Sequence, residues 1–376
     1  MKWKTCLARL VISFTICSPY VLFAESEAKK KAAVSFEASV KNHAWYKTTH
    51  HAPDGGFQNI WTPKYEASGL RAFGWIAIRP FTMWRDYSGI PQVKPDLARL
   101  KADVQKNPPR RFRAHWIGQA TALIEFQNKV ILTDPIFAPR ASPVGFAGPP
   151  RLVELPMKIT DLPPVDVVAI SHSHYDHLDL ESLVEIHRLY HPVFVVPLGV
   201  KAILAEAGIT GVIELDWYQY VDLPASGTAQ SMRIHCTPAR HFSNRSLADR
   251  NETLWAGWMF EAPEKNERVF FAGDTGYSPH FAEIKARLGV PTLAILPIGA
   301  YLPRWFMREV HVDPEEAIQA FLDLGAEHFL AMHWGTFDLA DEAILDPMHN
   351  TRAAAERLGL PADRVHILPI GGQVAD

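Results

Sequence analysis

The chain has 376 residues, 48% of them hydrophobic, enough for one large core and typical of a globular protein. Lys and Arg number 38 against 41 Asp and Glu, for a net charge of −3. No basic block stands out that would track a polyanion, which argues against nucleic acid as a partner.

At the N-terminus Lys2, Lys4 and Arg9 precede an apolar run from Leu10 to Ala24. The run is shorter than the ~20 apolar residues of a membrane span and reads as a secretory signal over residues 1–24, with a retained anchor as the alternative. The expected destination is the secretory pathway, or the periplasm in a bacterium. Cys6 and Cys17 fall in this segment, leaving Cys236 as a lone thiol that cannot form an internal disulfide.

Residues 25–109 form an aromatic-rich extension: Trp45, Tyr46, Phe57, Trp61, Tyr65, Phe73, Trp75, Phe81 and Trp84, with Arg71, Arg79 and Arg85 interleaved. The expectation is a segment packed on the main domain, 110–376. Rings and guanidinium groups set at lipid-headgroup depth are the competing reading. His50-His51 invites a metal, but no third ligand stands nearby in sequence, so the pair is read as a surface turn.

Strand signals follow at 112–116, 121–126, 129–133 (after a Gln127-Asn128 turn), 165–171, 193–196, 212–216, 231–237, 253–261, 269–272, 292–297, 329–333 and 365–368. Helical periodicity lies between them near 180–190, 199–206, 279–288, 314–324 and 350–358. Strands interleaved with helices predict layered α and β structure. The most informative stretch is His172-Ser173-His174-Tyr175-Asp176-His177, which follows the apolar run 165–171 and precedes Asp179, the expected N-cap of the next helix. Three imidazoles and a carboxylate in six positions are hard to satisfy by packing, and a metal supplies the partner. Nitrogen and oxygen donors without a thiolate suit zinc, and fit iron or manganese less specifically. Ligands spaced so tightly suggest two adjacent ions. More candidates end later strands: His241 after 231–237, Asp274 in a glycine-flanked turn, and His333 after 329–332.

Together with Ala239-Arg240-His241-Phe242, Ala272-Gly273-Asp274-Thr275-Gly276-Tyr277-Ser278 and Met332-His333-Trp334-Gly335-Thr336-Phe337, this loop resembles the metallo-β-lactamase fold. The narrower strings Ile298-Gly299-Ala300-Tyr301-Leu302-Pro303-Arg304-Trp305-Phe306-Met307 and His311-Val312-Asp313-Pro314-Glu315-Glu316-Ala317 are similar to N-acylphosphatidylethanolamine-hydrolysing phospholipase D, over about Phe112 to Ala340. The resemblance implies an αββα sandwich with the site on one open edge. It implies two Zn2+, one on His172, His174 and His241, the other on Asp176, His177 and His333, with Asp274 bridging. It further implies a shared hydroxide that attacks phosphorus in a phospholipid at a membrane surface, releasing an N-acylethanolamine and phosphatidic acid, and a possible homodimer.

Asp176, Asp274 and His311 are the expected catalytic residues, with His311 and Tyr301 as substrate contacts. Arg304 and Trp305 are expected near the groove without a chemical role. Asp134 is expected either to orient a ligand imidazole or to cap its own turn. Before His311 the family carries glutamine where this chain has Val310. Two other readings stay open: a soluble hydrolase of a small phosphorylated lactone or cyclic phosphodiester, and a nonenzymatic zinc-binding, membrane-associated protein.

Overall fold

Most strands are buried along nearly their whole length, so they need cover on both faces. A computed structural model describes residues 39–61, 74–75, 78–79, 85–106, 110–225, 230–246 and 248–376. The signal expected over 1–24 lies outside these residues, as do Tyr65, Arg71, Phe73, Phe81 and Trp84. The chain runs β1 (Lys41–Asn42), α1 (Leu97–Lys106), β2 (Arg113–Gly118), β3 (Thr121–Phe126), β4 (Lys129–Thr133), β5 (Val167–Ala169), α2 (Leu180–Tyr190), β6 (Val193–Pro197), α3 (Val200–Glu206) and β7 (Val212–Leu215). It continues with β8 (Gln219–Leu223), β9 (Met232–Thr237), β10 (Gly257–Ala262), β11 (Glu267–Phe271), α4 (His280–Leu288), β12 (Leu293–Pro297), α5 (Arg304–Met307), α6 (Pro314–Leu324), β13 (His328–Met332), α7 (Asp346–Arg357), β14 (Val365–His366) and β15 (Gln373–Ala375).

Two sheets result, ordered β1-β8-β9-β10-β11-β12-β13-β14 and β15-β2-β3-β4-β5-β6-β7. In the second sheet Ala122, Ile124 and Phe126 of β3 join one core, while Leu123 joins another. The first core lies between the sheets, where Trp116, Ile124, Ile131 and Val195 meet Ile234, Trp258, Phe271 and Ile295. The second packs Leu123, Leu132, Val168 and Phe194 under Leu100 of α1, Leu183 and Ile186 of α2 and Leu204 of α3. Phe281, Ile284, Ile318 and Phe321 of α4 and α6 cover the outer face of the first sheet. The architecture is the αββα sandwich expected from the sequence. Among the described residues no helix is long and apolar enough to cross a membrane.

Most expected strands and helices lie within a few residues of their places, and the differences have local causes. Residues 253–256 leave the ladder before β10 because Leu254 N bonds Leu198 O (2.8 Å) and Ala256 N bonds Ser171 O (2.9 Å), tying them to loops of the other sheet. Asp179 stands at the N-cap of α2, but its side chain caps nothing in that helix. Its carboxylate instead takes the amides of Phe137 and Ala138 at 3.3 and 3.0 Å, fastening the helix start to the neighbouring loop.

Trp45, Tyr46, Phe57 and Trp61 pack against the large hydrophobic cluster built on the first sheet. Arg79 and Arg85 pair with Asp338 and Asp341, so these two guanidinium groups are engaged inside the protein rather than held out for lipid phosphates.

The fold gathers four strand ends on one edge. β4, β5, β6 and β7 run parallel, as do β11, β12 and β13. Their C-terminal ends carry Asp134, the 172–177 loop, Asp274 and His333. Such ends are where layered α/β folds place their ligands.

Candidate metal centre

Most of the imidazoles here have one nitrogen tied down and the other turned inward. His172 Nδ1 lies 2.8 Å from Ser171 Oγ, and its Nε2 is 2.8 Å from His174 Nδ1. His174 Nε2 meets Asn244 Oδ1 at 3.0 Å, and its Nδ1 is 3.2 Å from His241 Nε2. His241 Nδ1 donates to the Val310 carbonyl at 2.8 Å. The departure from glutamine at Val310 therefore leaves this bond intact, because the main chain makes it. His177 Nδ1 donates to Asp134 Oδ2 at 2.7 Å, and its Nε2 faces His333 Nε2 at 3.2 Å.

The carboxylates join the rings. Asp274 Oδ2 lies 3.1 Å from Nε2 of both His177 and His333 and 3.9 Å from His241 Nε2. Asp176 Oδ2 is 3.3 Å from Nε2 of His177 and of His333. Two clusters result, His172-His174-His241 and Asp176-His177-Asp274-His333, each with its ligand atoms within 4.8 Å of one another. All seven residues proposed as ligands from the sequence are thus brought together.

Local backbone geometry holds them there. Gly273, at φ +61°, precedes Asp274, and a Cβ on it would stand 2.6 Å from Ser171 Cβ and 2.9 Å from Ala256 O, so only glycine fits. Asp134 (φ 34°), Gln119 (φ 50°) and His333 (φ 63°) occupy the left-handed region, a strain that packed surroundings sustain at functional sites. His333 N is held by Gln119 O at 2.9 Å.

The arrangement fits divalent cations. Two imidazole nitrogens 2.8–3.2 Å apart can share only one proton, and three such contacts occur. Ligands around a tetrahedral ion at 2.0–2.1 Å are spaced by a similar ~3.3 Å. Asp274 Oδ1 and His333 Nδ1 are buried with no hydrogen-bond partner among the described residues.

Electrostatics point the same way. Burial pushes His172 and His241 well below the ordinary histidine range, and His174 down to about 4. Burial also opposes charge on His177 and His333, but Asp274 and Asp176 outweigh it, lifting His177 well above its usual range and His333 to about 9. Against burial, the His177 ring holds Asp176 and Asp274 well below the carboxylate range. Buried carboxylates draw positive charge to this spot, which is what a bound cation would provide.

Of the two roles expected for Asp134, the structure supports orienting an imidazole, since its carboxylate accepts from His177 Nδ1 and also from Ser171 N (2.6 Å) and Ser171 Oγ (2.5 Å). His311 faces the centre, its Nδ1 3.9 Å from Asp274 Oδ2 and its ring 5.1 and 5.5 Å from those of His241 and His333. Tyr301 is buried, and its phenol oxygen accepts from Asn350 Nδ2 of α7 at 3.1 Å. That contact braces the loop against the helix. Arg304 also turns inward, to His311 O and Glu316.

Sequence reasoning missed three residues. Gln119 Nε2 reaches Asp176 Oδ2 (2.8 Å) and His333 Nε2 (2.9 Å) from the β2–β3 turn. Asn244 holds His174, and Arg245 Nη1 bonds the carbonyls of Ser173 and Leu178 at 2.8 and 2.9 Å, clamping the metal loop. The only local signal for Asn244 and Arg245 was their place just after His241.

A model of the beta-lactamase superfamily domain matches residues 129–334, more than half of the chain. The chain belongs to that superfamily and has its metallo-β-lactamase fold. N-acyl-phosphatidylethanolamine-hydrolyzing phospholipase D 1 of Caenorhabditis elegans is 39% identical over 242 residues, covering 62% of this chain and 67% of its own length. An uncharacterized protein of Mycobacterium tuberculosis is 38% identical over 331 residues, 86% of this chain and 83% of its own. Among solved structures, Igni18, a metallo hydrolase from Ignicoccus hospitalis, superposes with a TM-score of 0.54 at 22% identity, over 70% of this chain and 98% of that one. The protein is a metal-dependent hydrolase of this superfamily, and the resemblance to the phospholipase D family read from its sequence holds.

Proposed function

We propose that the protein is a zinc-dependent phospholipase D that hydrolyses N-acylated phosphatidylethanolamine or a related lipid at a membrane surface, yielding an N-acylethanolamine and phosphatidic acid. The observation that carries this reading is Asp274 Oδ2, set between the two imidazole clusters, in a chain 39% identical to an enzyme named for that reaction. His172, His174 and His241 would hold one ion and Asp176, His177 and His333 the other, with Asp274 shared. Divalent cations so held supply Lewis acidity toward a phosphoryl group and make water acidic near neutral pH.

The chain's own residues keep that geometry fixed. Asp134, Ser171, Asn244 and the Val310 carbonyl each hold one nitrogen of a ligand ring so that the other points inward. Gln119 holds Asp176. His311 presents beside Asp274 an Nδ1 with no hydrogen-bond partner among the described residues, and would contact the phosphoryl or amide end of the headgroup.

The rim supports a lipid surface as the place of work. Phe146 is 86% exposed and Val144 38%, on the loop between the paired residues Arg140 and Pro150. Its base is tied next to His333 by Leu152 N on Thr336 O at 2.9 Å. Apolar side chains so placed fit the headgroup boundary of a bilayer.

The test is turnover of synthetic N-acylphosphatidylethanolamine in mixed micelles. The reading expects both products, loss of activity on chelation, recovery with zinc, and a fall on the order of 10²-fold or more in Asp274→Ala. Undiminished turnover after chelation would remove it, and equal rates on a monomeric phosphodiester would favour the soluble hydrolase.

A further inference from the structure

A second set of donors shares no residue with that centre. The fold supplies the histidine pair at 50–51 with the third ligand that sequence proximity did not, from 165 residues away: Asp216. Asp216 directly follows β7, so its carboxylate emerges at the C-terminal end of a parallel strand, in the same sheet as the strand that delivers the 172–177 loop. Neighbouring residues of an extended chain point to opposite faces. Here a turn closed by His51 N on Thr48 O at 2.9 Å brings both rings onto one carboxylate.

His50 Nε2 lies 2.5 Å from Asp216 Oδ1 and His51 Nε2 2.8 Å from Oδ2. The Tyr46 hydroxyl donates to Oδ2 at 2.6 Å, and the Trp217 amide to Oδ1 at 2.8 Å. The His50 ring stacks on Trp217 with centroids 4.3 Å apart, which fixes its direction. The side chains of His50 and Asp216 are 2% exposed, whereas His51 is 37% exposed and leaves a path from solvent.

We propose that His50, His51 and Asp216 form a third cation site, selective for a first-row divalent transition ion such as zinc. The three ligand atoms lie within 4.8 Å of one another, as in each half of the other centre. A tetrahedral ion spaces its ligands by about 3.3 Å, so the rings reach coordination distance by shifting less than ~1 Å each. Binding exchanges two N–H···O hydrogen bonds for two nitrogen–metal bonds and one oxygen–metal bond, the Nε2 proton of each neutral ring moving to Nδ1. Two imidazoles and one carboxylate, with a phenol at hand, favour zinc, copper(II) or nickel over magnesium or calcium, which prefer all-oxygen shells. The ion would staple the segment carrying Tyr46, His50 and His51 to the sheet edge. Asn59, on the same segment, donates to the His241 carbonyl at 2.9 Å.

The test uses untagged full-length protein saturated with zinc, desalted, and assayed for zinc per chain. Wild type is expected to retain one equivalent more than His51→Ala and His51→Gln, with phosphodiesterase turnover unchanged in both. Equal zinc content in wild type and both variants overturns the proposal. Anomalous diffraction at the zinc edge gives an independent reading. A peak between His50, His51 and Asp216 supports the site, and its absence in crystals that show zinc at His172 and His241 refutes it.

Discussion

At the scale of single residues, two buried contacts make opposite demands. Asp134 holds His177 through Nδ1, and an acceptor that fixes ring tautomer and direction is typically worth 10–100-fold in metal affinity. Asp134→Asn should therefore weaken zinc binding by about that factor in competition with a chromophoric chelator; an unchanged affinity would show that His177 needs no such support. His115 in β2 is the reverse case, a buried imidazole with no partner for either nitrogen among the described residues. Burial, with Arg113 nearby, holds it down to about 4. The folded chain thus takes up its proton only near pH 4, the unfolded chain already near 6.5, so stability is full above pH 6.5 and is lost as pH falls toward 4. The loss from this residue is on the order of 1 kcal/mol by pH 5.5. His115→Leu should flatten the fall in melting temperature between pH 7.5 and 5.5, and a slope equal to wild type would contradict the assignment.

At the scale of elements, α6 shows how a local sequence signal secures the site. Asp313 accepts from Glu316 N at 2.9 Å, Glu316 returns a carboxylate oxygen to Asp313 N at 3.2 Å, and Pro314 opens the helix. Arg304 ties this cap to the His311 carbonyl at 2.9 Å, so the cap steadies the segment that presents His311. Asp313→Ala should cost about 1 kcal/mol in denaturant unfolding and lower turnover more than zinc content; zinc loss matching the activity loss would count against a role confined to the His311 side. Helical periodicity and apolar runs ending in histidine made the elements and the ligand set legible in the sequence. Strand β8 was hidden because its intermediate burial weakens alternation, and α1 because it buries only Leu100. The supports were hidden for another reason. Gln119 meets His333 across 214 positions and Asn59 meets His241 across 182, and pairs so distant leave no mark on the residues around either partner.

At the scale of the whole molecule, the two sheets turn scattered strand ends into one centre. The 172–177 loop comes from one sheet, while His241, Asp274 and His333 follow strands of the other, so the ligand set exists only when the sandwich is closed. The Trp258 indole, buried between the sheets, donates to Ile170 O at 3.0 Å and links β10 to the root of the metal loop. The central claim is that this centre directs water at the phosphorus of a lipid phosphodiester. The most direct measurement is mass spectrometry of the products formed from N-acylphosphatidylethanolamine in ¹⁸O water. The account predicts one ¹⁸O in phosphatidic acid and none in the N-acylethanolamine; label in the released alcohol, or in a freed fatty acid, would contradict it.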